Sequence, residues 1–421
     1  MSKISAVDVV DVRFPPAGDR CAVYVVLRTD TELAGHGISF AVSGTALCVL
    51  AARRIAEPLV GRDVDELAGS LGETYRQIVG DDRLRWMGPQ WGIVRLATAA
   101  VLNAVWDLVA RRAGKPLWRL VAELKPADLV AACDFRYLSD ALTPDEAVEM
   151  LERLDSSRGD RIDHLTPVGY PSYVSVPGSG RADPTFRRRC REAVVAGWHA
   201  IKVDIGGNYA DDRRRLAIAR EELGADGTLL LDADHRWDVS DAISYVHDLA
   251  EFGPLWIGEP TDPDDIAGHA AIRTAVTPVG VAAGGHCHNR VMFKQLLSAG
   301  ALDYCLLDPL RLGSVNEIVP VLLLAARFGV PVCLRAGDAG ASELAQHVAV
   351  IDFVCVSGSL IGRLLEHVQG PHEHFTSPAD VDGAWYRLPQ EPGYSARMHA
   401  ESVANYRYPD GTYWRRAAGR Q

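Results

Sequence analysis

From about residue 200 to residue 358 the chain alternates short apolar runs with amphipathic stretches, and no other feature narrows the fold as far. The runs are AIKVDIG (200–206), TLLLDAD (228–234), PLWIGEP (254–260), VGVAAGG (279–285), YCLLDP (304–309), VPVCLRA (330–336) and FVCVSG (353–358). Between them stand segments of helical period such as DDRRRLAIAREELG and VNEIVPVLLLAARFG. Strands that are apolar along their whole length are buried on both faces, the condition of a parallel sheet covered by helices. With LVAACDFRY (129–137) as a first member, the series supplies the eight strands of a closed (β/α)8-type barrel.

The N-terminal part follows another pattern. Strands are expected near 4–14 and 21–29, then helices around 44–58, 64–79 and 92–112, which is an α+β capping domain over residues 1–125. The fold class is therefore α/β, with the barrel at 126–375. Residues 138–185, containing GYPSYVSVPGSG, read as a long irregular insertion after the first barrel strand, of the kind that is functional when it occurs inside a compact domain. Residues 376–421 read as a segment returning to the cap. The net charge of −11 argues against sequence-independent binding of nucleic acid or anionic membrane. None of the eight cysteines forms a C-x-x-C pair, no signal-peptide pattern opens the chain, and no apolar stretch reads as membrane-spanning. A cytoplasmic protein with a small-molecule ligand is expected.

In such a barrel the reacting groups stand at the carboxyl ends of the strands. Those positions hold Lys202 and Asp204, Asp232 and Asp234, Glu259, Gly285, Asp308 and Arg335, with Ile361 just beyond the run taken as strand eight. Lys202 and Asp204 are two apart and face the same way. Asp232 and Glu259 end neighbouring strands, and two carboxylates so placed call for a positive charge between them, for which Mg²⁺ is the natural candidate. His199, His247 and His269 read as surface or packing residues. His286 and His288 follow the fifth run on the loop side, and His288 is a candidate base or replacement ligand.

The cap, the lysine pair position, the successive Asp and Glu and the later Asp resemble the enolase superfamily, mandelate racemase branch. More closely, DADHRWDV, GEPTDPDD, HCHNRVMFKQLLSAGALDY, GSVNEI, HEHF (372–375) and, in the cap, GRDVDEL, LRWMGPQWGIVRLATAAVLNAVWDL and GKPLWRLV resemble the L-fuconate dehydratase family. The resemblance implies Mg²⁺ held by one Asp and two Glu on strands three to five, and an acid sugar bound to that metal through its carboxylate. It also implies a strand-two Lys or strand-seven His removing the α-proton, a strand-six Asp behind that His, and a late Glu stabilising the enediolate. Symmetric homo-oligomers are implied as well.

Position by position, Lys202 matches the first lysine of Lys-x-Lys, and the second is Asp204. Asp232 and Glu259 match two metal ligands, and the third falls on Gly285, with Asp204, Asp234 or His288 as candidate replacement ligands. Asp308 matches the strand-six Asp, its histidine partner falls on Arg335, and the late Glu falls on Ile361. The first cap loop, DVRFPPAGDRCAVYVVL, is shorter than the family's, which alters the lid. Arg335 cannot serve as a general base, because a guanidinium stays charged. Asp204 is too weak a base unless burial raises it. The expectation is that Mg²⁺ is weakened or lost and L-fuconate dehydration absent or very slow. Such a chain is either a repurposed enzyme removing a proton beside the carboxylate of an acid sugar or hydroxy acid, or an inactive member that binds or regulates.

Overall fold

The computed structural model describes residues 2–15, 21–40, 45–80, 88, 90–178 and 182–418. The first cap loop, 16–20, lies outside the described residues, and so does its expected effect on the lid. Three antiparallel strands, β1 (Ile4–Arg13), β2 (Cys21–Thr29) and β3 (Ala34–Phe40), form the cap sheet. The helix Gly92–Arg112 lies directly on β3. It does so because Gly35 and Gly37 carry no side chain, since a Cβ there would stand 2.3 Å from the Ala104 carbonyl oxygen and 2.1 Å from that of Ala100. By length and composition this helix could cross a membrane, contrary to the sequence expectation, but it is mostly buried inside the protein. Its apolar character is that of a core helix.

The barrel is a closed ring of eight parallel strands: β4 (Tyr170–Ser175), β5 (Ala200–Asp204), β6 (Thr228–Asp232), β7 (Trp256–Gly258), β8 (Gly280–Ala283), β9 (Tyr304–Leu307), β10 (Val332–Leu334) and β11 (Leu365–His367). Pairing of Leu365 with Ser172 and of His367 with Val174 closes it. Six of these strands coincide with the apolar runs. The first and last do not. LVAACDFRY begins in the last turn of the helix Pro126–Ala132, and FVCVSG lies in a π-helical turn, Asp352–Ser357, that continues the helix Ala341–Ile351. Over so few residues a buried helix turn and a buried strand carry the same apolar pattern. The span 138–185 is likewise mostly regular: helices Pro144–Asp155 and Arg158–Val168 lead into β4 itself.

Beyond β11 a hairpin, β12 (Val381–Asp382) and β13 (Trp385–Tyr386), extends the sheet beside β4. The chain then returns along the cap, where Trp118 Nε1 donates to Pro389 O at 2.7 Å and the Met398 amide donates to Tyr24 Oη at 3.1 Å. Cap and barrel are joined by a buried ion cluster. Arg95 of the cap helix meets Glu317 of the helix Val315–Arg327, and Arg290 reaches both Glu317 (3.2 Å) and Asp134 (2.7 Å). Trp106 Nε1 donates to Asn316 Oδ1 at 2.8 Å beside it. The cap is thereby held at the end of the barrel where the strands terminate.

Candidate active site

Inside the barrel, Tyr173, Ala200, Leu230, Trp256, Ala282, Leu306 and Cys333 pack into an apolar plug against which Leu364 rests. Side chains on a strand repeat their direction every two residues. Two residues above the plug the eight strands therefore present Ser175, Lys202, Asp232, Gly258, Gly284, Asp308, Arg335 and Glu366. The polar ring follows from the sequence once the strands are correctly bounded.

Lys202 is its centre. Its ammonium lies 3.0 Å from Asp232 Oδ2 and 2.6 Å from Glu366 Oε1, over the ring of Tyr173. Burial opposes the charge, but Glu366 and Asp232 outweigh it and hold the ammonium well above the ordinary lysine value. Lys202 is thus a fixed cation and cannot accept a proton near neutrality. Burial also opposes ionisation of Asp232, which Lys202 and Arg335 nevertheless pull down to about 2. Glu366, where burial is again overcome by Lys202 and Arg335, is held below the ordinary range and accepts from Ser175 Oγ (2.6 Å) and the Ala336 amide (3.0 Å). This corrects the sequence reading: the acid of the eighth strand is the buried Glu366, and Ile361 is exposed in the preceding turn.

Glu259 departs from the alternation. It follows β7 with φ +47°, and Asp234 and His235, just past β6, have φ +49° and +60°. Such values are costly for residues other than glycine and cluster at sites where the surroundings impose them. The Glu259 amide is held by Ala282 O, and its carbonyl accepts from the His235 amide, both at 2.8 Å. The carboxylate is buried, accepts from the Gly285 amide at 2.7 Å and lies 3.9 Å from Arg335 Nη1. Burial opposes the charge of Arg335, but Asp232, Glu366 and Glu259 overcome it and raise its pKa.

Position 285 shows why that guanidinium can be there. A Cβ on Gly285 would stand 2.5 Å from Arg335 Cδ, 2.6 Å from Nη1 and 2.9 Å from Glu259 Oε1. Among the described residues no group of three or more His, Cys, Asp or Glu is gathered to hold a metal ion. Asp234, one of the candidate replacement ligands, has its carboxylate 4.0 Å from Arg236 and 65% exposed.

The other candidates stand around this centre. Asp204 is half-buried, and burial, with Asp232 and Glu366 nearby, raises its pKa against the pull of Lys202. Asp308 accepts from the Leu310 amide and ion-pairs with Arg311, each at 2.9 Å, so it caps its own turn. His288 stands apart, its ring 4.5 Å from Trp91 and its pKa lowered by burial. With Phe40, Arg95, Asp264, His286 and Arg311 it lines a cavity of about 330 Å³ between cap and barrel loops. His286 lies against His235, and burial and Arg311 push its pKa down to about 3. A second group, besides Glu366, escaped the sequence reading: Asp338, in the loop after β10, which burial and Asp308 push up to about 7. It lies 3.9 Å from Arg311. The carboxylate of RAGDAG, two residues beyond the run VPVCLRA, was the available signal.

Comparison with known proteins fits this geometry. Residues 11–122 match the mandelate racemase / muconate lactonizing enzyme N-terminal domain, and residues 185–402 match the enolase C-terminal domain-like family. The chain is 46% identical to mitochondrial enolase superfamily member 1 of Xenopus laevis, over 98% of this chain and 97% of that protein. It is 43% identical to L-galactonate dehydratase of Hypocrea jecorina, over 96% and 94%. The crystal structure of the human mitochondrial enolase superfamily member 1 has TM-score 0.96 at 44% identity, covering 99% of this chain and 98% of that one. The structure of L-talarate dehydratase from Polaromonas, complexed with Mg and L-glucarate, shares the fold at TM-score 0.73 and 21% identity, over 96% and 97%. Both domains in order, and relatives similar over nearly their whole length, make this chain a member of the enolase superfamily, in its mandelate racemase-like branch.

Proposed function

We propose that the chain is a repurposed acid-sugar lyase or isomerase that removes a proton beside the carboxylate of a small sugar acid or hydroxy acid, without the family's divalent cation. The carrying observation is Arg335, seated among Asp232, Glu259 and Glu366 where position 285 leaves it room. The residues present do not fit Mg²⁺ as the resemblance describes it. The third carboxylate is a glycine, Asp232 is taken by Lys202, and Glu259 by the Gly285 amide. The relative named L-galactonate dehydratase, similar over nearly its full length, supports the substrate class.

In this reading Arg335 receives the ligand carboxylate, which a planar guanidinium binds through paired hydrogen bonds. Lys202 stays charged and stabilises negative charge developing on that carboxylate as the α-proton leaves. Asp204, ending β5, is the base. Asp338, following β10, is the acid for a departing β-hydroxyl, because a group near 7 can give and regain a proton at neutral pH. The strands between them in the ring are β4 and β11, so the two approach the ligand from different sides. One positive charge acidifies the α-proton less than a divalent ion does. L-fuconate dehydration at ordinary enzyme rates is therefore not expected.

A second reading is an inactive binding or regulatory member, favoured by the locking of Lys202 between two carboxylates and of Asp308 into its own turn. The test separates the two. Acid sugars, with L-galactonate first, are incubated with the protein in D₂O and followed by NMR. Deuterium at the α-carbon or loss of water supports the enzyme. Thermal stabilisation without exchange supports the binder, and neither effect with any acid overturns both.

A further inference from the structure

We infer that the Arg335 guanidinium is this protein's built-in replacement for the divalent cation, and that position 285 is glycine in order to make room for it. The inference rests on the reading that the divalent site is lost, and not on turnover, since a binder without catalysis would carry the same centre.

Three observations carry it. First, Gly285 is not demanded by its backbone. Its neighbour Gly284 has φ +123°, whereas Gly285 lies outside that region. What a Cβ at 285 would displace is not backbone but the seated side chains, Arg335 Cδ and Nη1 together with Glu259 Oε1. Second, the residues are fifty positions apart, on the loops after β8 and β10, and meet only in the folded barrel. Third, the exchange of the cation and of position 285 conserves formal charge. Exchanging a divalent cation and its third carboxylate for a guanidinium and a glycine replaces +2 and −1 by +1 and 0, so the net charge in that space is unchanged. Arg335 lies 3.9 Å from Glu259 and helps hold Asp232 ionised, so both buried carboxylates keep a cation near them, as they require. The cation is now covalently part of the chain and cannot be removed by a chelator.

The test couples metal uptake to a double-mutant cycle. Binding of Mn²⁺ is followed by loss of the free-ion EPR signal, and of Mg²⁺ by calorimetry, on the full chain and on Gly285→Glu/Arg335→Ala. The full chain is expected to take up no ion at this site at micromolar Mn²⁺, and the double variant to take up one ion per chain. In parallel, Gly285→Ala is expected to lower the melting temperature in the native background and to lower it much less beside Arg335→Ala. The alanine cycle stands even if the glutamate variant does not fold. One tightly bound ion per native chain would overturn the inference. So would a folded double variant that takes up none, or a Gly285→Ala effect that is the same with and without Arg335.

Discussion

At the cap–barrel contact Arg95 and Arg290 converge on Glu317 and Asp134, and at the barrel mouth Lys202 and Arg335 converge on Asp232, Glu259 and Glu366. The chemistry is the same and the surroundings are not. In the first cluster Arg136 also pairs with Asp134 at 2.8 Å, so three guanidinium groups face two carboxylates; Arg95, Arg290, Glu317 and Asp134 are buried, and the Arg290 and Gly313 amides also bind Glu317. It fixes the cap. In the second, two cations face three carboxylates, Arg335 is 18% exposed, and Asp204 and Asp338 stand half-buried on the rim. A buried ion cluster short of positive charge and open on one side marks a site, whereas one with positive charge to spare, packed between cap and barrel, marks a joint.

That contrast breaks if both clusters respond alike to mutation. Glu317→Ala leaves Arg95 and Arg290 buried beside a missing partner and should lower unfolding stability by about 3–5 kcal/mol, read by denaturant melts. Glu366→Gln, which takes one of two carboxylates from Lys202, should cost about 1–3 kcal/mol while leaving the cap docked. Arg335→Ala should reverse the order of effects. Its stability cost, from leaving the buried Glu259 without its cation, should stay below that of Glu317→Ala because the mouth is open to solvent, yet acid binding should weaken by at least about tenfold, read by calorimetry.

The smallest effect is the dependence on pH. Asp338, pushed up to about 7, is protonated below that value and an anion above it. A second anion entering a mouth already short of positive charge is repelled. Affinity for an acid sugar should therefore fall as pH rises through about 7, and Asp338→Asn should flatten that slope. An affinity that rises over the same range would place the titrating group elsewhere.

Much of this architecture is legible in the amino-acid sequence. The rhythm of apolar runs exposes six barrel strands, and the residues ending them include Lys202, Asp232, Glu259, Asp308 and Arg335. The misreadings have physical causes. LEH, the whole of β11, is three residues with no apolar alternation, and it follows the apolar FVCVSG, which belongs to a helix end. Glu366 is therefore hidden, and Ile361 takes its place in a reading by pattern. Glu259 reaches the centre only through a left-handed backbone that no pattern announces. The contact of Gly285 with Arg335 spans fifty positions. Each departure is visible alone, and their relation is visible only in the fold.

The most direct measurement is calorimetric titration of L-galactonate into the native chain with and without excess EDTA. Binding of equal affinity in both conditions, lost in Arg335→Ala, is the expected result. Binding that needs Mg²⁺ and is abolished by the chelator would contradict a mouth built around a guanidinium.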